Sequence, residues 1–166
     1  MNPVTIRSSI DLAVPAATAW AYLSDYSHDL TWRAGLERMA QDPPGQVHDG
    51  ARVEEVLTVL GRRVESLVEV SEVQAGRSFR WQVVGGATPQ GSAPTAQGTA
   101  PTAQGSRTVT PTGEGSCRVD VVKELTLSGA DRLLRPLIAV VVTRTERGDL
   151  RRLKQRLEQP ARTAAQ

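Results

Sequence analysis

The segment from Asp131 to Glu158 most constrains the fold, because it favours a helix far longer than any other part of the chain could form. Only Pro136 and Gly148 disfavour a helix within it, and Pro136 lies near the first turn, where proline is tolerated. At 100° per residue the helix has two distinct faces. One face carries Ala139, Val142, Glu146, Leu150, Leu153 and Leu157, and the other carries Arg144, Arg147, Arg151 and Lys154. We therefore predict a long amphipathic helix with one face in the core and one in water.

Apolar and polar residues alternate in several runs before this helix, which is the pattern of half-buried strands. These runs cover 6–14, 52–60, 64–73, 79–84, 107–112 and 117–127, with a weaker run at 36–41. A short helix, AATAWAYLSDY, follows Pro15 and ends between Ser24 and Ser27, and 30–34 could add one further turn. The chain therefore predicts an α+β fold, in which a curved antiparallel sheet wraps around the long C-terminal helix, with one or two short helices after the first strand.

Residues 85–106 break the alternation, because they contain a tandem PTAQG repeat and no apolar side chain larger than alanine. Such a segment buries too little surface to offset its ordering entropy, so it predicts a flexible loop. An interdomain linker is the alternative, but neither half of the chain could close a core alone. We therefore expect one domain over 1–160 with this loop inserted, followed by a disordered tail at 161–166.

Composition argues against several classes of function. The net charge is only +2, with acids and bases interleaved, so we expect no nucleic-acid partner. Cys117 is the single cysteine, which excludes an internal disulfide and a cysteine-based metal cluster. The sequence contains no apolar run long enough to cross a bilayer and no secretory leader, so we expect a soluble, cytoplasmic protein without a transmembrane segment. Metal-binding and cofactor-binding motifs are also lacking, and we expect neither group to be bound.

In its order of elements the chain resembles the START-like helix-grip (SRPBCC) superfamily, specifically its polyketide cyclase/dehydrase and lipid-transport branch. The resemblance is carried by PAATAWAYLSDYSHDLTW, ARVEEVLTVLGRRVESLVEVSEV, FRWQVV, PTGEGSCRVDV and ERGDLRRLKQRLE. It implies a sheet that grips the C-terminal helix around a cavity for a hydrophobic or polycyclic ligand. The superfamily includes carriers, sensors, cyclases and aromatases, so the fold alone does not settle the function.

Three charged residues interrupt apolar faces, where a buried charge needs a partner or a ligand. Glu55 and Lys123 lie on the apolar faces of their strands, and Glu146 lies on the inward face of the long helix. They could form a structural ion pair. Alternatively, one of them could orient the polar head of a ligand, or act as an acid or base on a bound polyketide or ketone.

Two tryptophans and the first half of the long helix complete the candidate binding site. Trp32 and Trp81 could stack on a polycyclic ring, although core packing also explains such residues. Arg80 could bind a carbonyl or acidic group if its side of the strand faced inward. The first half of the helix, which includes Val142, is apolar around most of its circumference. A pocket wall, a homodimer contact or burial under the short helices could each use this surface.

No catalytic constellation is evident in the sequence. His28 and His48 lie in loop-like sequence with no obvious nucleophile or metal partner. We therefore predict a carrier, sensor or sequestering module that binds a hydrophobic small molecule, such as a lipid, isoprenoid or polyketide, in an internal cavity. A polyketide cyclase, aromatase or dehydratase is the first alternative, and a module that binds a protein partner is the second.

Overall fold

Seven antiparallel strands form one sheet in the computed structural model, which describes residues 3–59, 61–86, 103–127 and 133–159. The strands are β1 (Val4–Leu12), β2 (Leu36–Asp42), β3 (Arg52–Val59), β4 (Arg62–Gln74), β5 (Ser78–Gly85), β6 (Ala103–Gly113) and β7 (Ser116–Leu125). The helices are α1 (Ala16–Leu23), a 3₁₀ helix (Tyr26–Thr31) and α2 (Arg135–Glu158). Every run predicted to be a strand overlaps one of these strands.

The sheet order is β1-β7-β6-β5-β4-β3-β2. Strands β2 to β7 therefore form a continuous meander, and β1 pairs with β7 at its far edge. α1 and the 3₁₀ helix connect β1 at one edge of the sheet to β2 at the other. This arrangement confirms the predicted α+β architecture of a curved antiparallel sheet around a C-terminal helix.

α2 runs alongside β1 in the same direction. Near its start, Arg135 Nη2 donates a hydrogen bond to the Pro3 carbonyl oxygen at 3.2 Å. Near its end, Lys154 Nζ donates to the Asp11 carbonyl oxygen at 2.7 Å. The first half of α2 therefore lies beside the beginning of β1, and the second half lies beside its end.

The predicted start of the long helix at Asp131 is wrong, because Leu133 and Leu134 form a turn and α2 begins at Arg135. Pro136 explains the later start. In a helix begun at Asp131 its ring would clash with the backbone one turn earlier, whereas at the second helical position it needs no N–H partner. Residues 128–132 lie outside the described part of the chain.

The inward-facing side chains are fully buried at one end of the fold and less completely buried at the other. The fully buried side chains of the packed end are Leu12, Leu23, Val70, Phe79, Val109, Cys117, Val119, Leu150 and Leu153. Towards the beginning of β1 the burial is uneven, since Val4, Ile6 and Ile138 are buried. Other inward-facing residues of this region are only half-buried: Leu57, Val64, Trp81, Val83, Leu125, Ala139 and Val142. The second half of α2 therefore covers the core, and its first half lies beside this incompletely buried apolar surface, which we call the hollow.

The predicted loop at 85–106 is wrong at both ends, since β5 includes Gly85 and β6 begins at Ala103. Residues 87–102 lie outside the described part of the chain. Because Gly105 is a poor strand former by itself, its place in β6 depends on a neighbouring strand. A Cβ atom on Gly105 would lie 2.7 Å from Trp81 Cζ2 of β5, so the missing side chain leaves room for the indole ring.

We expect Gly105→Ala to lower the free energy of unfolding by about 1–3 kcal/mol, because the added methyl group must displace the Trp81 ring or the β7 backbone at Val122. Gly115→Ala is the matched control, since a Cβ atom there meets no heavy atom within 4 Å. Urea denaturation of both variants measures the difference. Equal stability of the two variants would show that Trp81 does not lie against Gly105.

Candidate functional site

Six charged side chains meet where the sheet, the 3₁₀ helix and α2 come together. We call them the buried charge network, and its members are Asp29, Arg33, Glu55, Arg107, Lys123 and Glu146. Asp29, Arg33, Glu55 and Arg107 are joined directly by ion pairs. Lys123 and Glu146 form a second pair beside them.

Asp29 and Arg107 form the most deeply buried pair of the network. The Asp29 side chain is 0% exposed and accepts hydrogen bonds from both terminal nitrogens of Arg107, with 2.9 Å between Nη1 and Oδ1. Arg107 Nη1 also donates to the Leu23 carbonyl oxygen at 3.1 Å. Its guanidinium lies 4.8 Å from the ring centroid of Tyr26 and 5.2 Å from that of Trp32. Bidentate pairing and aromatic contacts thus compensate for the loss of water.

Arg33 extends the network from Asp29 to β3. Its Nη1 donates to Glu55 Oε2 at 2.9 Å and to Asp29 Oδ2 at 3.2 Å. Burial alone lowers the pKa of Arg33, but the charges of Glu55 and Asp29 outweigh burial, so this pKa lies well above its ordinary value. The charge of Glu146 acts in the same direction. The Arg33 guanidinium therefore remains charged, and it holds both carboxylates in place.

Lys123 and Glu146 connect β7 to α2 by an ion pair between Nζ and Oε2. An ion pair was one of the outcomes predicted for the three charged residues, but Glu55 pairs with Arg33 instead of with either of these two. The Glu146 side chain is only 3% exposed, whereas that of Lys123 is 18% exposed. Lys123 therefore neutralises a buried carboxylate while part of its own side chain remains accessible.

Asp149 and Arg152 attach α2 to the turn after the 3₁₀ helix. Asp149 Oδ1 accepts a hydrogen bond from the Ala34 backbone N–H at 2.9 Å, and Arg152 Nε donates to the Trp32 carbonyl oxygen at 2.8 Å. Burial raises the pKa of Asp149, the Ala34 hydrogen bond lowers it, and the charge of Glu146 raises it further. The pKa of Asp149 is therefore higher than that of an ordinary aspartate.

The six predicted site residues separate into two groups. Trp81 and Lys123 flank Gly105 in the strand register, and Glu146 pairs with Lys123. Val142 lies one helical turn before Glu146 and is half-buried, so it belongs to this first group. The second group contains Trp32, which lies beside Arg107, and Glu55, which pairs with Arg33.

Trp32 differs from Trp81 in its burial. Trp32 is 2% exposed and belongs to the core, and its indole Nε1 has no hydrogen-bond partner among the described residues. Trp81 is half-buried on the concave face of the sheet. Arg80, the next residue, is exposed and pairs with Glu72 at 3.9 Å, so the even-numbered face of β5 does not line the hollow.

The described residues contain no group of three or more His, Cys, Asp or Glu side chains that could hold a metal ion. His28 stacks on Tyr22, with 4.3 Å between their ring centroids, and His48 is exposed. Within the same ranges, no helix is both long and apolar enough to span a bilayer. The site consists of a half-buried apolar surface beside a network of paired charges.

We expect Asp29→Ala to lower the free energy of unfolding by roughly 3–5 kcal/mol, because it leaves the buried Arg107 charge without its bidentate partner. Asp11→Ala is the control. It removes an ion pair with Arg118 that water screens on the surface, so its effect should be far smaller. Chemical denaturation of both variants provides the measurement, and similar losses from the two would contradict a special role of the buried pair.

We expect Asp149→Asn to become more stable relative to the unmodified protein as pH rises from about 4 to about 7. The raised pKa means that the folded state binds the Asp149 proton more tightly than the unfolded chain does. The unmodified protein therefore loses stability as pH rises through that pKa. Asparagine has no such proton to release, and its side-chain oxygen can still accept the hydrogen bond from the Ala34 N–H, so the variant does not lose this stability. Denaturation curves across this pH range test the prediction, and a difference that does not change with pH would refute it.

Solved structures with the same fold share little sequence with this chain. A protein from Thermus thermophilus is 18% identical, with a TM-score of 0.69 over 92% of this chain and 96% of that chain. A START superfamily protein from Mycobacterium smegmatis is 14% identical, with a TM-score of 0.67 over 93% of this chain and 97% of that chain. At this level of identity the likeness shows the fold alone. No curated protein matches the sequence.

A family model described as polyketide cyclase / dehydrase and lipid transport matches residues 3–158. That range includes the whole sheet, both α-helices and every member of the buried charge network. The match confirms the resemblance to START-like helix-grip proteins that the sequence motifs indicated. The chain therefore belongs to the polyketide cyclase/dehydrase and lipid transport family.

Proposed function

We propose that the protein binds a hydrophobic small molecule, such as a lipid, isoprenoid or polyketide, in the hollow between the first half of α2 and the concave face of the sheet. The uneven burial of the interior carries this proposal. Trp81, Val83 and Leu125 face inward but remain half-buried, as do Ala139 and Val142 on α2. Protein interiors are normally close-packed, so apolar side chains left half-buried on an inner face offer contact area to a ligand.

The charged residues beside the hollow supply the few polar groups that such a site needs. Lys123 and Glu146 lie at the junction of the hollow and the packed core, and Lys123 keeps part of its surface accessible. Arg33 and Glu55 are also not fully buried. A site of this kind takes most of its binding energy from apolar contact and uses polar groups to orient the ligand.

The family description includes cyclases and dehydrases as well as lipid transport. An enzyme that acts on a bound ketone or polyketide is therefore the second candidate function. Lys123 and Glu146 would be the acid and base, because they form a charged pair beside the apolar surface of Trp81. The accessible Lys123 could donate a proton or hydrogen bond to a carbonyl, which is the first requirement for such chemistry.

We expect Val142→Trp to weaken binding of N-phenyl-1-naphthylamine, a neutral apolar fluorophore, by about tenfold or more, because the larger side chain occupies the hollow. Val140→Trp is the matched control, since Val140 lies two residues earlier on α2 and is exposed. Fluorescence titration measures both affinities, and thermal denaturation checks that both variants fold. Equal affinities of the two variants would place the ligand elsewhere.

Native mass spectrometry of the purified protein complements this titration by detecting any hydrophobe that co-purifies. If no hydrophobe co-purifies and the fluorophore does not bind, the binding proposal is wrong. Turnover of a model poly-ketone by the unmodified protein, lost in Glu146→Gln, would favour the enzyme over the carrier. Ligand binding without turnover would favour the carrier.

A further inference from the structure

We propose that the ligand of the hollow is electrically neutral and carries a hydrogen-bond acceptor, such as the carbonyl group of a ketone or an ester. This inference rests on the proposed function and specifies the ligand class. It excludes ionised fatty acids and amines as preferred ligands. Three features of the site support it: the pairing of every charge in the buried charge network, the burial of Glu146, and the partial exposure of Lys123.

The buried charge network has no net charge. It contains three cations and three carboxylates, so its formal charge is +3 − 3 = 0. Each cation also has its own partner, because Arg107 pairs with Asp29, Arg33 pairs with Glu55 and Lys123 pairs with Glu146. Asp149, the nearby carboxylate on α2, pairs with Arg152. In the part of the chain that the structure describes, these charges beside the hollow are therefore all compensated by partners of opposite sign.

An ionised ligand would have to break one of these pairs. A carboxylate that approaches Lys123 competes with Glu146, whose side chain is almost completely buried. If Glu146 loses its cation, it becomes an unpaired charge in a medium of low polarity, which is strongly unfavourable. An ammonium group meets the converse difficulty, since it would have to share Glu146 with Lys123. A neutral molecule avoids both penalties.

One group of the network, the Lys123 ammonium, can meet a neutral acceptor without breaking a pair. The Lys123 ammonium group has three N–H donors, and Glu146 is its ion-pair partner among the described residues. Because Lys123 is partly exposed, a further N–H can reach a ligand while the ion pair persists.

The test uses three ligands of the same chain length: undecane, 2-undecanone and undecanoate. Their affinities for the full-length protein are measured at pH 7.5 by displacement of N-phenyl-1-naphthylamine. We expect 2-undecanone to bind about tenfold more tightly than undecanoate and more tightly than undecane. If undecanoate binds as tightly as 2-undecanone, the inference is overturned and the proposed function stands.

Glu146→Gln separates charge pairing from the general hydrophobicity of the ligands. This isosteric change leaves Lys123 without its carboxylate, so we expect the affinity for undecanoate to rise about tenfold relative to that for 2-undecanone. Glu54→Gln is the control, because it removes a carboxylate from an exposed pair with Arg38. An unchanged ratio of the two affinities in a folded Glu146→Gln variant overturns the inference.

A measurement on the unmodified protein covers the case in which Glu146→Gln does not fold. As pH falls from about 7.5 towards about 5, undecanoate becomes protonated, and its affinity should rise while that of 2-undecanone stays constant. Affinity for undecanoate that does not change with pH overturns the inference. If neither the fluorophore nor any of the three ligands binds, the proposed function fails and the inference fails with it.

Discussion

The buried pair of Asp29 and Arg107 holds the most demanding connection of the fold in place. β1 and β2 lie at opposite edges of the sheet, so the intervening chain must cross the whole concave face. Asp29, in the 3₁₀ helix of that crossing, is fixed to Arg107 in the middle of the sheet. Arg33 then joins the crossing to β3, and the Ala34 backbone joins it to α2. The segment between β1 and β2 is thus joined to the sheet on one side and to α2 on the other.

Periodicity in the sequence is sufficient to predict the sheet and the facing of individual side chains. Alternation along the strand places Lys123 on an inward face, and helical spacing does the same for Glu146; the structure pairs the two. Asp149 also carries a usable signal, since it lies three residues after Glu146 and one before Leu150 on the same helical face. The burial of Asp149 could therefore have been inferred from its position on this inward face of the helix.

Asp29 and Arg107 could not be found in this way, because their partnership is not local. They lie 78 positions apart in the sequence, and each lies among residues that resemble a loop or the end of a low-complexity segment. A surface residue has the same appearance in a single sequence. The strand position of Gly105 could not be predicted for a related reason, since the Trp81 ring that packs against it belongs to another strand. Three-dimensional packing overrides local preference at both positions.

Glu146 marks the point at which α2 changes its role. After it, Leu150 and Leu153 fill the core completely. Before it, Val142 is half-buried, while Leu137 and Val140 are exposed, so burial under the short helices does not account for these two residues. A homodimer contact remains a prediction for that exposed surface. The inward side of the same half borders the hollow.

A fully paired network allows this boundary to be stable without a ligand. If the hollow had been lined by unpaired charges, the empty protein would bear their desolvation cost, and a ligand of opposite charge would be needed to relieve it. In this protein the charges of the buried charge network are paired with one another. The incompletely covered surface consists of Trp81, Val83 and neighbouring apolar side chains. If a ligand binds in the hollow as proposed, its free energy of binding would therefore come mainly from covering apolar surface, which scales with the contact area of the ligand. Shape and one oriented acceptor, rather than charge, would then distinguish one ligand from another.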